Sequence, residues 1–127
     1  MSDDGAAAEW TWADAWVLAA TTDTAEGCSL SELIGTADGT NHAIPTRDEL
    51  ARALGALLVA GLIEHIGERF RTTKAGRDLK KHWKGGLFGW STTLLPQLQR
   101  LRRAPRELAL SEPEVQAAYA EYVRRVR

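Results

Sequence analysis

The stretch PTRDELARALGALLVAGLIEHIGERFRTTKAG, Pro45 to Gly76, decides the fold. Thr46 followed by Glu49 makes a capping box: the hydroxyl meets the exposed N–H groups of a helix start, and the carboxylate reaches back. Leu50, Leu54, Leu57, Leu58 and Gly61 then recur every three or four residues, which is one face of a helix. Gly61 allows a left-handed or close-packed exit. Leu62 to Ile66 and Arg69 to Thr72 are short alternating runs around Gly67-Glu68, where glycine suits the first central position of a tight hairpin turn. Thr73 is placed to cap a further helix. The order is helix, two-stranded ribbon, helix.

Upstream, Thr11 with Asp14 caps a helix that carries Trp12 and Trp16 on one face. Trp10 and Trp12 are read as packing on a neighbouring element or subunit. Ser29 with Glu32 caps a second helix, bearing Leu30, Leu33 and Ile34 and ending by Asp38-Gly39. The connection from Gly39 to Pro45 is a long turn plugged into the core by Ile44, with Asn41 and His42 facing out or holding it. Downstream, Lys74 to Trp83 reads as a short basic helix, and KGGLFGW (84–90) as an apolar hinge. Thr93 caps a helix with Pro96 in its first turn, Leu94, Leu95, Leu98 and Leu101 as its apolar stripe, and Arg100, Arg102, Arg103 and Arg106 as a basic side. Ser111 with Glu114 caps the last helix, whose seam is Val115, Ala118, Tyr119, Tyr122, Val123 and Val126.

These readings place helices near 11–22, 29–38, 46–60, 73–83, 93–103 and 112–126, with one hairpin at 62–72. The expected class is mainly α with one β-hairpin, a winged helix-turn-helix with extra N- and C-terminal helices. Residues 1–8 are expected to be a disordered acidic tail, 9–83 the winged-helix domain, and 84–127 a helical extension that serves dimerisation. At 127 residues the chain makes one domain.

The formal charge of −1 hides a division. Residues 1–46 contain eight acids and no Lys or Arg, whereas residues 47–106 carry thirteen bases against five acids. Such polarity points to an anionic partner for the middle of the chain, or to complementary halves within one fold or dimer. The single cysteine, Cys28, excludes an internal disulfide and reads as a buried, idle thiol. The start MSDDGAAAEW has neither the positive charge nor the apolar run of a signal peptide, and no stretch is long enough to span a membrane. A cytoplasmic protein is expected.

LARALGALLVAGLIE (50–64) resembles the recognition helix and first wing strand of bacterial winged-helix regulators, broadly the phenolic-acid and multiple-antibiotic-resistance repressor families. RFRTTKAGR (69–77) is similar to their aromatic–x–Leu–Thr–x–x–Gly pattern: Phe70, Thr73 and Gly76 match, and Thr72 stands where leucine is usual. The resemblance covers about residues 29–80. It implies a dimeric transcription regulator that binds duplex DNA, and the cations placed for that role are Arg47, Arg52, Arg69, Arg71 and Lys74. On the recognition helix Asp48, Arg52, Gly55, Ala56 and Val59 are expected to face outward, so only Arg52 offers a bidentate contact to guanine. Arg69, Arg71 and Lys74 suit a phosphate backbone. The alternative is a winged-helix adaptor that binds protein through Gly55, Ala56, Val59 and the tryptophans, without DNA.

Enzyme chemistry finds no footing in the residues. His42, His65 and His82 have no metal-triad spacing with one another or with Cys28, so neither metal nor cofactor is expected. The glycines of 84–89 have no preceding strand and no Gly-Lys-Ser/Thr ending, and no serine has a nucleophile-elbow context.

Overall fold

The computed structural model describes residues 9–83 and 89–126. The expected tail at 1–8, and Leu87 and Phe88 of the expected hinge, lie outside the described residues. The described chain runs α1 (Trp12–Ala20), α2 (Leu30–Asn41), α3 (Arg47–Val59), β1 (Ile63–Ile66), β2 (Arg69–Thr72), α4 (Lys74–Lys80), α5 (Gly89–Leu98) and α6 (Glu112–Arg125). It is mainly helical with one antiparallel hairpin.

Five helix starts fall where the sequence puts their caps, all but that of α5. Thr11, Ser29, Thr46 and Ser111 each close a reciprocal capping box with the acid three residues on, and the Thr73 hydroxyl accepts from the Gly76 N–H. From Asp14 to Ala20, α1 is buried all round, and it packs against α2, α3 and α5. A helix apolar on every side belongs at the centre of its domain. Trp16, Leu18, Leu33, Leu50, Leu54 and Leu94 fill the space around it. Each such side chain contributes about 1.5–3 kcal/mol by leaving water.

The hairpin pairs Ile63 with Thr72 and Ile66 with Arg69, leaving Gly67 and Glu68 as its loop. Gly67 takes φ 62, the left-handed conformation that the turn demands. Strand alternation buries Phe70 and turns Arg69 and Arg71 to the other face. A third segment joins the ribbon, which the sequence reading did not anticipate. The Cys28 N–H donates to the Phe70 carbonyl at 2.7 Å, and the Phe70 N–H returns a bond to the Cys28 carbonyl at 2.8 Å. Burial pushes the Cys28 thiol above its usual range.

Three expectations are corrected. First, α2 continues through Gly39 to Asn41 and closes on His42, which adopts φ 54 while its N–H bonds the Asp38 carbonyl. The connection to α3 therefore shrinks to residues 42–46. Second, α5 begins at Gly89, not Thr93, and ends at Leu98. Trp90, Leu94 and Leu98 form one buried stripe four residues apart, and its packing on α1 draws the helix start back. Pro96 thus sits in the last turn, where its missing N–H leaves the Thr92 carbonyl without a helical partner and helps end the helix. Third, the α6 seam does not stand clear of the body: Val115 and Ala118 are buried, and α6 packs on α2 of the same chain. The Tyr122 hydroxyl donates to Asp38 Oδ2 at 2.7 Å, and Arg125 Nη1 donates to Ser31 Oγ at 2.6 Å.

Residues 99–111, between α5 and α6, have no helix or strand and run as a strap along α3. The Leu108 N–H donates to the Ala51 carbonyl at 2.9 Å. One turn further along α3 the strap passes so close to Gly55 that a Cβ there would collide with the Arg106 carbonyl. Gly39, also helical, has no atom within 4 Å of a Cβ position. Gly39→Ala is therefore expected to raise stability by about 0.5–1 kcal/mol. Gly55→Ala should lower it by roughly 1–3 kcal/mol, because the clash outweighs the gain in helix propensity. Urea denaturation midpoints measure both, and equal shifts at the two positions would refute the close approach.

Candidate nucleic-acid interface

Five cations were placed on DNA by the sequence, and four of them already have a carboxylate within the chain. Arg47 Nη1 lies 2.7 Å from Asp48 Oδ1 and its Nη2 3.5 Å from Glu107 Oε1, while Nε donates to the Leu110 carbonyl at 2.8 Å. Arg69 Nη2 donates to Glu32 Oε1 at 2.8 Å and to the Gly27 carbonyl at 2.9 Å, and its Nε donates to the Glu26 carbonyl at 3.0 Å. Arg71 makes two bonds to Glu64 Oε2, at 2.9 and 2.6 Å, and a third to the Ala25 carbonyl. Lys74 Nζ pairs with Asp78 Oδ2 at 3.2 Å. Arg52 is exposed, and its guanidinium has no partner among the described residues.

These bonds give the hairpin its placement. Arg69 and Arg71 strap β2 to the loop before α2, and Thr72 does the same from the buried face, its hydroxyl donating to the Thr21 and Thr22 carbonyls at 3.2 and 3.0 Å. Lys80 closes the corner: its ammonium donates to the Thr21 carbonyl, Asp23 Oδ1 and Thr72 Oγ1 at 2.6, 3.0 and 3.2 Å. Burial pushes Lys80 below its usual range, and Asp23 opposes that shift.

The outer face of α3 differs from expectation. Asp48, Arg52 and Val59 are exposed, but Gly55 and Ala56 are buried, and Gly55 lies directly beneath the strap. The small-residue surface offered to a groove or a protein partner is covered by the chain itself.

A buried ion pair fastens that cover. Arg103 was read as one of four cations on a basic helix side; it is 6% exposed and Asp14 is 2% exposed. Arg103 Nε donates to Asp14 Oδ2 at 2.9 Å and Nη2 to Oδ1 at 3.1 Å, the two-pronged geometry that a guanidinium fork favours. Nη2 also reaches the Arg52 carbonyl at 3.4 Å. The Arg103 guanidinium lies 5.5 Å from the centre of the Trp10 ring, and Trp10 Nε1 donates to the Leu101 carbonyl at 3.0 Å. Trp10 thus packs within its own chain, whereas Trp12, 42% exposed, leans on Trp16 and Trp90 with centroids 5.4 and 5.0 Å apart. A cleft of about 130 Å³ opens beside the pair, lined by Thr11, Asp48, Glu49 and Arg52 among others. Glycine inside α3 was the one sequence signal for the strap. Nothing distinguished Arg103 from the arginines around it.

Among the described residues no group of three His, Cys, Asp or Glu side chains could hold a metal ion, and no helix is long and apolar enough to cross a membrane.

Two outcomes follow from this geometry. Arg103→Met leaves the Asp14 carboxylate buried without its partner and should cost about 3–5 kcal/mol. The strap should then be cut faster by trypsin after Arg102 and Arg106; unchanged cleavage and melting would show that the pair is not the fastening. Glu32 is held below the ordinary glutamate value of 4.5 by the Ser29 N–H and then by Arg69. A depressed carboxylate stabilises the fold above that value and loses its contribution as pH falls through the folded pKa. Glu32→Gln should therefore be less stable than the parent at neutral pH, with the gap closing in acid; a gap independent of pH would refute the assignment. No protein-family model, curated protein or solved structure matches the chain.

Proposed function

We propose that residues 9–83 form a winged helix-turn-helix and that the protein is a transcription regulator acting on duplex DNA. The observation that supports this is the order of elements: helix, bridging segment, helix, helix, hairpin, with Cys28 paired to Phe70 so that the segment before α2 joins the ribbon as a third chain. The charges shape how such a domain meets DNA. With Gly55 under the strap and Ala56 buried, α3 has little with which to read bases, and Arg52 is its guanidinium without a partner among the described residues. Contacts to phosphate then dominate, and these fix position on the duplex without reading sequence. Lys74 can exchange its exposed carboxylate for phosphate at small cost, since single surface pairs contribute little, whereas Arg47 would first have to release Asp48, Glu107 and the Leu110 carbonyl. Arg69 and Arg71 would have to break three bonds each.

Pairing of two copies through the terminal helices belongs to this reading. With Val115 and Ala118 spent on α2, it would use Tyr119 and Val126, which are 38% and 63% exposed. The adaptor reading is favoured by one observation, that each wing cation already has an acidic partner within the chain.

Fluorescence anisotropy with a pool of random duplexes tests the proposal. The expected result is weak, sequence-tolerant binding, with a dissociation constant on the order of 10⁻⁵ M at physiological salt that tightens steeply as salt is lowered. Absence of binding at low salt would leave the protein-binding adaptor as the better account.

A further inference from the structure

The wing is not where the uncommitted positive charge lies. Arg52, Arg100, Arg102 and Arg106 are all exposed, and none of their guanidinium groups has a partner among the described residues. Three of them stand on the strap, and Arg52 on the helix that the strap crosses. The Arg106 carbonyl lies against Gly55, three residues along α3 from Arg52 and on the same side of that helix. Arg103 Nη2 reaches the Arg52 carbonyl, so the strap crosses α3 at Arg52 one residue after Arg102. Arg52, Arg103, Pro105, Arg106 and Glu107 line a common opening of about 380 Å³. Arg100 is next to Leu101, whose carbonyl is fixed by Trp10.

The carboxylates around these arginines are largely engaged elsewhere. Asp14 is taken by Arg103, and Asp48 and Glu107 by Arg47. Glu49 accepts from the Thr46 N–H in the α3 cap. Six arginines, at 47, 52, 100, 102, 103 and 106, stand against Glu9, Asp14, Asp48, Glu49 and Glu107, so the group has little net charge. Long-range steering is therefore weak, and attraction resides in short contacts. A free guanidinium offers a planar fork of donors that matches a phosphate in two bonds. Four such forks along one ridge fit a partner with many phosphates in series better than a single anion.

We infer that the phosphate-contacting surface of this protein is the ridge formed by Arg52 on α3 and Arg100, Arg102 and Arg106 on the strap, with duplex DNA as its partner. The strap then closes the face of α3 and supplies the contact surface in its place. The inference rests on the duplex-binding reading proposed above, and its test separates the two. Binding of a fluorescein-labelled random duplex is titrated across salt for the parent chain, for the triple variant Arg100→Gln, Arg102→Gln, Arg106→Gln, and for the double variant Arg69→Gln, Arg71→Gln. Arg52→Gln serves as a single change outside the strap, and melting curves of all variants check that the fold persists. The ridge triple should bind roughly tenfold or more weakly at low salt, with a log–log salt slope shallower by about three units, and Arg52→Gln should flatten it by about one. The wing double should bind like the parent. Loss of binding in the wing double with the ridge triple unaffected would overturn the inference and leave the DNA-binding reading standing. Tighter binding of an RNA duplex of the same sequence would also overturn it. No binding by the parent chain would sink both.

Discussion

The two-pronged bond between Arg103 and Asp14 is the constraint on which the path of the strap over α3 depends. Taking both charges out of water is costly, and only close geometry with further hydrogen bonds offsets it. The surroundings supply those bonds. Asp14 Oδ2 also accepts the Thr11 N–H at 2.8 Å, so the carboxylate that caps α1 is the one that holds the strap. Arg103 adds the Arg52 carbonyl and the face of Trp10. A single residue pair thus joins the start of α1, the middle of α3 and a strap with no secondary structure to fix its own path. An apolar pair of similar volume could fill the space, but only a directional pair sets the register of a segment that lacks a helix or strand.

Tryptophan plays a second positioning part. Indole N–H groups donate to backbone carbonyls: Trp10 to Leu101, Trp16 to Ala37 and Trp90 to Thr40. Two of these acceptors lie in the last turns of α2, and the Thr40 carbonyl is among those for which a helix end has no internal donor. This explains why α2 carries on past Gly39, a residue that weakens a helix interior. Its C-terminal end is buttressed from α1 and α5, and the chain turns only at His42. Tertiary bonds here override a local stop signal.

Local chemistry was legible in the sequence, and long-range closure was not. Each capping pair could be read because both partners lie three residues apart, and the hairpin because Gly67 and the alternation around Phe70 are local. The end of α2, the start of α5 and the fate of the α6 seam depended on partners far along the chain. The candidate site shows the same limit. Burial of Arg103 beside Asp14 joins residues separated by 89 positions. Arg100, Arg102, Arg103 and Arg106 look equivalent as letters, but one is buried and three are exposed. At Thr72, where the resembled pattern has leucine, the hydroxyl donates to the Thr21 and Thr22 carbonyls, partners 51 and 50 residues away. A leucine in its place would leave those bonds unmade.

The division of charge along the sequence is resolved largely within the fold. Arg103 meets Asp14, Lys80 meets Asp23 and Arg69 meets Glu32, three pairs that each join the acidic first third of the chain to its basic middle. The hairpin adds Arg71 with Glu64, and α3 adds Arg47 with Asp48 and Glu107. This pairing has a selective consequence. Burying or bracketing a guanidinium removes it from the field seen by a partner, while a free one beside it keeps its full set of donors. The surplus of bases over acids in residues 47–106 therefore does not spread evenly over the surface. It is drawn off the hairpin, where the sequence had placed it, and left along the strap that Arg103 anchors. The bond that closes α3 to solvent is also the one that sets where the remaining arginines stand.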